Sequence, residues 1–148
     1  TVSDTRTDET DRGGKAIVDL LRQQGHEVSG KTIVPDDADK VRNEIESHIA
    51  LPEIDVVIST GGTGISRRDG TYEVVSSLLD KQINGFGELF RALSYEEIGP
   101  AAMLSRACAG IANGTIIISV PGSEHAVRLA MTKLILPEIG HLVREARR

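Results

Sequence analysis

A glycine-rich pentapeptide, Thr60-Gly61-Gly62-Thr63-Gly64, is followed at once by Arg67-Arg68-Asp69. Glycines at 61, 62 and 64 allow successive backbone amides to turn inward on an anion, and Thr60 and Thr63 add hydroxyl donors. The guanidinium groups would neutralise phosphate, and the carboxylate could hold a metal ion. Asp36, in Val34-Pro35-Asp36-Asp37, is a second candidate carboxylate. Each feature also has a plain structural explanation. The pentapeptide could be a tight strand-to-helix turn, Asp69 a cap ahead of Thr71, and Asp36 a residue favouring the start of the next helix. Capping of that helix by Asp37 would leave Asp36 free.

A better-known phosphate pattern lies elsewhere. Gly25-His26-Glu27-Val28-Ser29-Gly30-Lys31-Thr32 satisfies G-x-x-x-x-G-K-[ST], but it leaves a helix and enters a strand. A phosphate loop needs the reverse context, with a helix N-terminus behind it, so this match is rejected. The 60–64 loop has the required context but is no dinucleotide fingerprint, because the third glycine position after Gly62 and Gly64 holds Arg67.

Periodicity supplies the elements that would position these residues. Apolar spacing predicts a helix from Gly14 to Gln24, closed by Gly25, and another from Ala38 to Ala50 bearing Val41, Ile45 and Ile49 on one face. β-Branched runs predict strands at Glu27–Val34 and Ile54–Thr60, the latter delivering the glycine loop at its carboxyl end. Beyond it come a helix near Thr71–Leu79, an irregular helical region over Phe86–Leu104, and strands around Ala107–Ile111 and Thr115–Val120 joined by an Asn113-Gly114 hairpin turn. Ser123 is placed to cap a further helix, which Pro137 is expected to break before a last basic helix. This alternation predicts a three-layer α/β/α sandwich with a mostly parallel central sheet plus a short β-hairpin.

The 148 residues suit one domain over 1–148, large enough to fold without disulfide or metal staples. A formal charge of -5 gives no general attraction to nucleic acid or acidic membrane, so an anion must be met by a local site. The single cysteine, Cys108, excludes an internal disulfide and a cysteine zinc cage, and reads as a small buried residue. His26, His48, His125 and His141 lack paired ligand spacing. No apolar run is long enough to span a bilayer and no signal peptide opens the chain, so a cytoplasmic location is expected. A start at Thr1 without methionine implies that residues precede it and that a first strand is incomplete.

The motif T-G-G-T-G followed by Arg68-Asp69 resembles the signature of the MoaB/MogA family of molybdenum-cofactor biosynthesis proteins. The likeness extends through Val2-Ser3-Asp4-Thr5-Arg6, the 25–28 turn, Pro35-Asp36, Leu104-Ser105-Arg106-Ala107 and Pro121-Gly122-Ser123. Gly85-Phe86-Gly87-Glu88-Leu89-Phe90-Arg91 and Ser94-Tyr95-Glu96-Glu97-Ile98-Gly99 are more similar to the MoaB branch. The chain departs from the family at Asp11-Arg12-Gly13-Gly14, where an acidic residue followed by Thr-Ser-Gly is usual.

The resemblance implies binding of molybdopterin and adenylylation of its terminal phosphate by ATP with Mg2+, releasing pyrophosphate. It implies catalytic and metal-positioning roles for Asp36 and Asp69, and substrate binding by Thr60, Gly61, Gly62, Thr63, Gly64, Arg68, Ser105, Arg106, Pro121, Gly122 and Ser123. Ser3 and Asp4 would approach the nucleotide. On residue type alone Arg106 would as readily satisfy Glu96, Glu97 or a backbone carbonyl. The resemblance also implies a homotrimer or homohexamer. The alternative is a non-catalytic molybdopterin-binding or carrier protein, which would need the loop but neither carboxylate.

Overall fold

A computed structural model describes residues 1–148. In chain order the elements are α1 (Arg12–Gln23), α2 (Ala38–Ile49), β1 (Val56–Thr60), α3 (Thr71–Leu78), β2 (Lys81–Gln82), α4 (Asn84–Ile98), a 3₁₀ turn (Gly99–Leu104), β3 (Cys108–Ala112), β4 (Thr115–Val120), α5 (Glu124–Ala130), a π-helical turn (Met131–Ile135) and α6 (Leu136–Ala146). The sheet order is β1-β4-β3-β2. β1 runs parallel to β4 with Val57 opposite Ile117 and Thr60 opposite Val120, while β4 pairs antiparallel with β3, and β3 with β2.

β4 shows why the fold has three layers. All of its residues are buried, so both faces of the strand must be covered. Ile116, Ile118 and Val120 join a core with Ala16 and Ile17 of α1, Phe90 of α4, Val127 of α5 and Ile139 of α6. On the other face Ile117 packs with Val41 and Ile45 of α2 and with Val74 and Val75 of α3. The three-layer sandwich with a hairpin is therefore present. Asn113 and Gly114 make the hairpin turn with φ of 49° and 80°, as the Asn-Gly pair requires.

The expected strand at Glu27–Val34 is absent apart from its last residue. Val34 forms one parallel bridge with Val2, and Val2 in turn donates its N–H to the Thr60 carbonyl at 2.8 Å. Thr1 and Ser3 lie alongside as well, with Thr1 donating to the Thr32 carbonyl at 2.8 Å, Val34 to the Thr1 carbonyl at 2.8 Å and Ser3 to the Val34 carbonyl at 2.9 Å, while the rest of the segment stays irregular. Pro137 lies in the first turn of α6, as the expected last helix requires, but the coil is not broken ahead of it. A proline ring would strike the carbonyl of the preceding helical turn, but the π-turn ahead of it widens the coil, and Leu136 donates to the Met131 carbonyl. The expected irregular stretch over Phe86–Leu104 resolves into a regular α4 and a 3₁₀ turn, parted at Gly99 with φ 71°. β2 carries no apolar pattern because both its residues are exposed.

Neighbouring residues of β4 should respond oppositely to truncation. Ile118 is 0% exposed within the larger core, so Ile118→Ala should cost about 2–5 kcal/mol in urea unfolding. The Ser119 hydroxyl is buried without a hydrogen-bond partner, so Ser119→Ala should leave stability unchanged or raise it, by up to about 1 kcal/mol. A large loss at Ser119→Ala would show that its hydroxyl is satisfied in solution.

Candidate functional site

β1 ends at Thr60, and the chain reverses through Gly61 and Gly62, whose φ values are 101° and 70°. Three neighbours fix this reversal. Gly61 donates its N–H to the Val120 carbonyl at 3.0 Å, Thr71 donates to the Gly62 carbonyl at 3.1 Å, and the Thr60 hydroxyl donates to the Pro121 carbonyl at 2.8 Å. A Cβ at Gly61 would lie 2.2 Å from the Val2 carbonyl oxygen, and one at Gly62 would lie 2.2 Å from the Thr71 hydroxyl. Only glycine fits at either place. The N–H groups of Gly62, Thr63, Gly64 and Ile65 have no acceptor within the protein. Such a run of free donors in a turn forms an anion-binding concavity.

Both candidate carboxylates border this loop. Asp36 Oδ2 lies 3.4 Å from where a Gly62 Cβ would stand, and Asp69 Oδ2 lies 2.7 Å from the corresponding point at Gly64. Asp37 caps α2 by accepting from the Lys40 N–H at 3.0 Å, which leaves Asp36 to face the loop. Asp69 Oδ2 accepts from the Ser66 N–H at 2.8 Å and from the Ser66 hydroxyl at 2.6 Å, closing a local turn while its other oxygen remains available. Burial, and next the nearby Asp69 carboxylate, raise the Asp36 carboxyl above its ordinary value, against the pull of the Gly70 amide.

The remaining candidates divide by what their side chains already hold. Arg68 forms a forked pair with Asp4, its Nε reaching Oδ2 at 3.0 Å and its Nη2 reaching Oδ1 at 2.8 Å. Asp4 Oδ1 also accepts the Asp36 N–H at 3.0 Å, and these contacts, Arg68 foremost, hold the Asp4 carboxyl below its usual range. The Ser3 hydroxyl accepts from the backbone of Thr5 and Arg6. Ser123 caps α5 by accepting from the Ala126 N–H at 3.2 Å, and a Cβ at Gly122 would stand 3.3 Å from Gly61 Cα. Arg106 Nε donates to the Gly64 carbonyl at 2.9 Å, so its open alternative resolves toward backbone carbonyls.

Ser105 and Arg106 line a cleft of about 320 Å3 with Tyr72, Ser76, Arg91 and Cys108, adjoining the loop through Arg106. A wider groove of about 490 Å3 along α6, by His26, Pro137 and His141, contains none of the loop residues. The 320 Å3 cleft is the one joined to the candidate chemistry. Burial raises the Cys108 thiol to about 11, which makes it a packing residue and a poor nucleophile. His48, His125 and His141 each pair with a glutamate.

Sequence reasoning missed the start of α1. Asp11 is 3% exposed and caps the helix by accepting from the Gly14 N–H at 3.0 Å, while Lys31 pairs with it at 2.7 Å. A Cβ at Gly13 would lie 3.3 Å from the Gly122 carbonyl and 3.8 Å from the Thr60 hydroxyl, so this helix end underlies the loop. The Asp-x-Gly-Gly spacing, an N-cap followed by residues fit for close approach, was the available signal. Thr71 was likewise passed over, although its buried hydroxyl lacks a partner and presses on Gly62.

No group of three His, Cys, Asp or Glu side chains forms a metal cage. The donor set nonetheless suits Mg2+, which takes one or two carboxylates and completes its shell with water and substrate phosphate oxygens. The mutual repulsion of Asp36 and Asp69 is the charge environment that a divalent cation relieves.

A family profile described as a probable molybdopterin binding domain matches residues 1–141. Molybdenum cofactor biosynthesis protein B of Bacillus cereus is 52% identical over 149 aligned residues, covering 100% of this chain and 88% of that protein. A crystal structure of a molybdenum cofactor biosynthesis protein B superposes with a TM-score of 0.96 at 51% identity, over 99% of this chain and 92% of the other. The tungsten cofactor synthesizing protein MoaB from Pyrococcus furiosus gives a TM-score of 0.88 at 41% identity, over 99% and 93% respectively.

The folded chain holds the Asp36 proton more tightly than the unfolded chain does, so ionisation of Asp36 costs stability as pH rises through its raised folded value. Asp36→Asn should therefore raise Tm near pH 7, and the gain should vanish below about pH 4, where the carboxyl is protonated in both states. A scanning-calorimetry series that showed Asp36→Asn to be less stable at neutral pH would contradict the assignment.

Proposed function

The chain belongs to the family of molybdopterin-binding domains that serve molybdenum-cofactor biosynthesis, and from that membership we propose that it is a molybdopterin adenylyltransferase. The observation that carries this reading is the meeting of Asp36 and Asp69 at the rim of one loop whose four consecutive amides are free to donate. A carrier would need the amides alone. Two carboxylates beside an anion cradle add unfavourable charge, which is useful only where a cation and a reacting phosphate share the place.

In the proposed reaction an oxygen of the molybdopterin terminal phosphate forms a bond to the α-phosphorus of ATP. The bond from that phosphorus to the oxygen bridging the β-phosphate breaks, and pyrophosphate leaves with its electron pair. The amides of Gly62, Thr63, Gly64 and Ile65 bind the substrate phosphate and fix its attacking oxygen. When bound to Asp36 and Asp69, Mg2+ would neutralise phosphate charge. Arg68, held by Asp4 beside Asp36, adds positive charge at the nucleotide side, and Ser3 keeps the Asp4 segment turned toward it. Ser105 and the cleft behind Arg106 accept the pterin, while Pro121, Gly122 and Ser123 support the loop from the end of β4.

Leu89, Tyr95 and Ile98 of α4 and Met103 and Leu104 of the 3₁₀ turn are all exposed. Self-association of this apolar surface as a homotrimer or homohexamer is part of the proposal, and multi-angle light scattering giving a monomer would remove it. No helix is long and apolar enough to cross a membrane; a cytoplasmic location, where ATP is available, is part of the proposal.

The purified chain should release pyrophosphate from ATP only when molybdopterin and Mg2+ are both present. Asp69→Ala should lower the rate by about 100-fold or more while molybdopterin binding, followed by calorimetry, persists. Full turnover in Asp69→Ala would defeat the catalytic assignment, and pterin binding without any pyrophosphate release would favour the carrier.

A further inference from the structure

Arg106 commits its guanidinium to the protein. Besides the Gly64 carbonyl reached by Nε, Nη2 donates to the Asp69 carbonyl at 3.2 Å, and both terminal nitrogens reach the Glu73 carboxylate. The guanidinium also lies over the Tyr72 ring, 5.1 Å from its centre. The backbone N–H of Arg106 donates to the Thr63 carbonyl at 2.9 Å. One residue thus holds the carbonyls of Thr63, Gly64 and Asp69, on both sides of the segment that carries Ser66, Arg67 and Arg68.

Peptide planarity converts this grip into an orientation. In a trans peptide the carbonyl of one residue and the N–H of the next point in opposite directions. Carbonyls of Thr63 and Gly64 drawn toward Arg106 therefore turn the Gly64 and Ile65 amides away from it, and these are two of the amides without an acceptor. The same rule at Asp69 turns the Gly70 amide away from Arg106, on the side where it meets the Asp36 carboxylate. Glu73 is the only carboxylate on this guanidinium, and it sits in the first turn of α3, an element anchored in the core by Val74 and Val75. It fixes the plane in which Arg106 presents its fork.

We infer that Glu73, acting through Arg106, is a positioning residue that sets the direction of the loop amides and the place of Asp69. Neither side chain needs to touch substrate. The inference rests on the loop being the phosphate site, but its geometry can be tested separately from the reaction.

The exposed Arg67 and Arg68 provide a built-in probe, because trypsin cleaves after them only when the segment opens. Arg106→Lys keeps the charge but loses the fork, and Glu73→Gln keeps the shape but loses the charge. Cleavage after Arg67 or Arg68, followed by mass spectrometry, should accelerate about tenfold or more in Arg106→Lys and by roughly threefold to tenfold in Glu73→Gln, with Tm within a few degrees of the parent. In an adenylyl-transfer assay, Glu73→Gln should lower kcat by about tenfold and shift the KM for ATP by less than about threefold. Parental cleavage rates in both variants would overturn the inference, as would acceleration matched by an equal rise at distant sites. Accelerated local cleavage in a chain without adenylyl transfer would uphold the positioning role and sink only the proposed reaction.

Discussion

The backbone reversal at Gly61 and Gly62 is the constraint on which the site depends. Val2 crosses so close that its carbonyl oxygen occupies the space of a Gly61 side chain, and Thr71 does the same at Gly62. The hydrogen bond from Gly61 to Val120 ties the turn to the central strand, whose neighbours on both faces are immobilised by the two cores. A loop pinned in this way can leave four amides unpaired without collapsing onto them. That is the preorganisation an anion site needs, because the donors are ordered before the ligand arrives.

The same pinning imposes an electrostatic cost. With Val34 bridged to Val2 and Asp37 spent on capping α2, Asp36 is driven toward the loop. There it faces Asp69, whose carboxylate accepts from Ser66. Partial burial and like charge disfavour ionisation of Asp36. Asp4 adds to this repulsion, and Arg68, paired with it on the exposed side, offsets only part of it.

Much of this was legible in the sequence because local chemistry and global fold agree there. β-Branched residues before the glycines, the Asn-Gly turn, and Ser123 ahead of a helix each had one reasonable structural meaning, and the fold uses them that way. Gly25–Thr32 shows the value of context, since the segment runs out of α1 and ends near Val34 without a helix behind it. What escaped was tertiary. The strand expected at Glu27–Val34 depends on a partner, and only its end, at Thr32 and Val34, meets Thr1, Val2 and Ser3. The π-turn that lets the helix pass Pro137 has no marker in residue type. Arg106 was legible as a substrate contact or as a partner for a backbone carbonyl, but Gly64, Asp69 and Glu73 approach it only after folding. Gly13 was missed for the same reason, since its approach to Gly122 and Thr60 is made only after folding.

In the proposed reaction Asp36 and Asp69 share one divalent cation at the mouth of the glycine loop. Mn2+ can replace Mg2+ as a probe, and electron paramagnetic resonance counts the free ion directly. In the presence of molybdopterin and an ATP analogue that cannot be cleaved between the α- and β-phosphorus, the parent chain should bind about one Mn2+ per chain beyond what the nucleotide binds alone. Asp36→Asn and Asp69→Asn should each weaken that site by about tenfold or more, while their circular dichroism stays that of the parent. Undiminished Mn2+ binding in both variants would contradict the account.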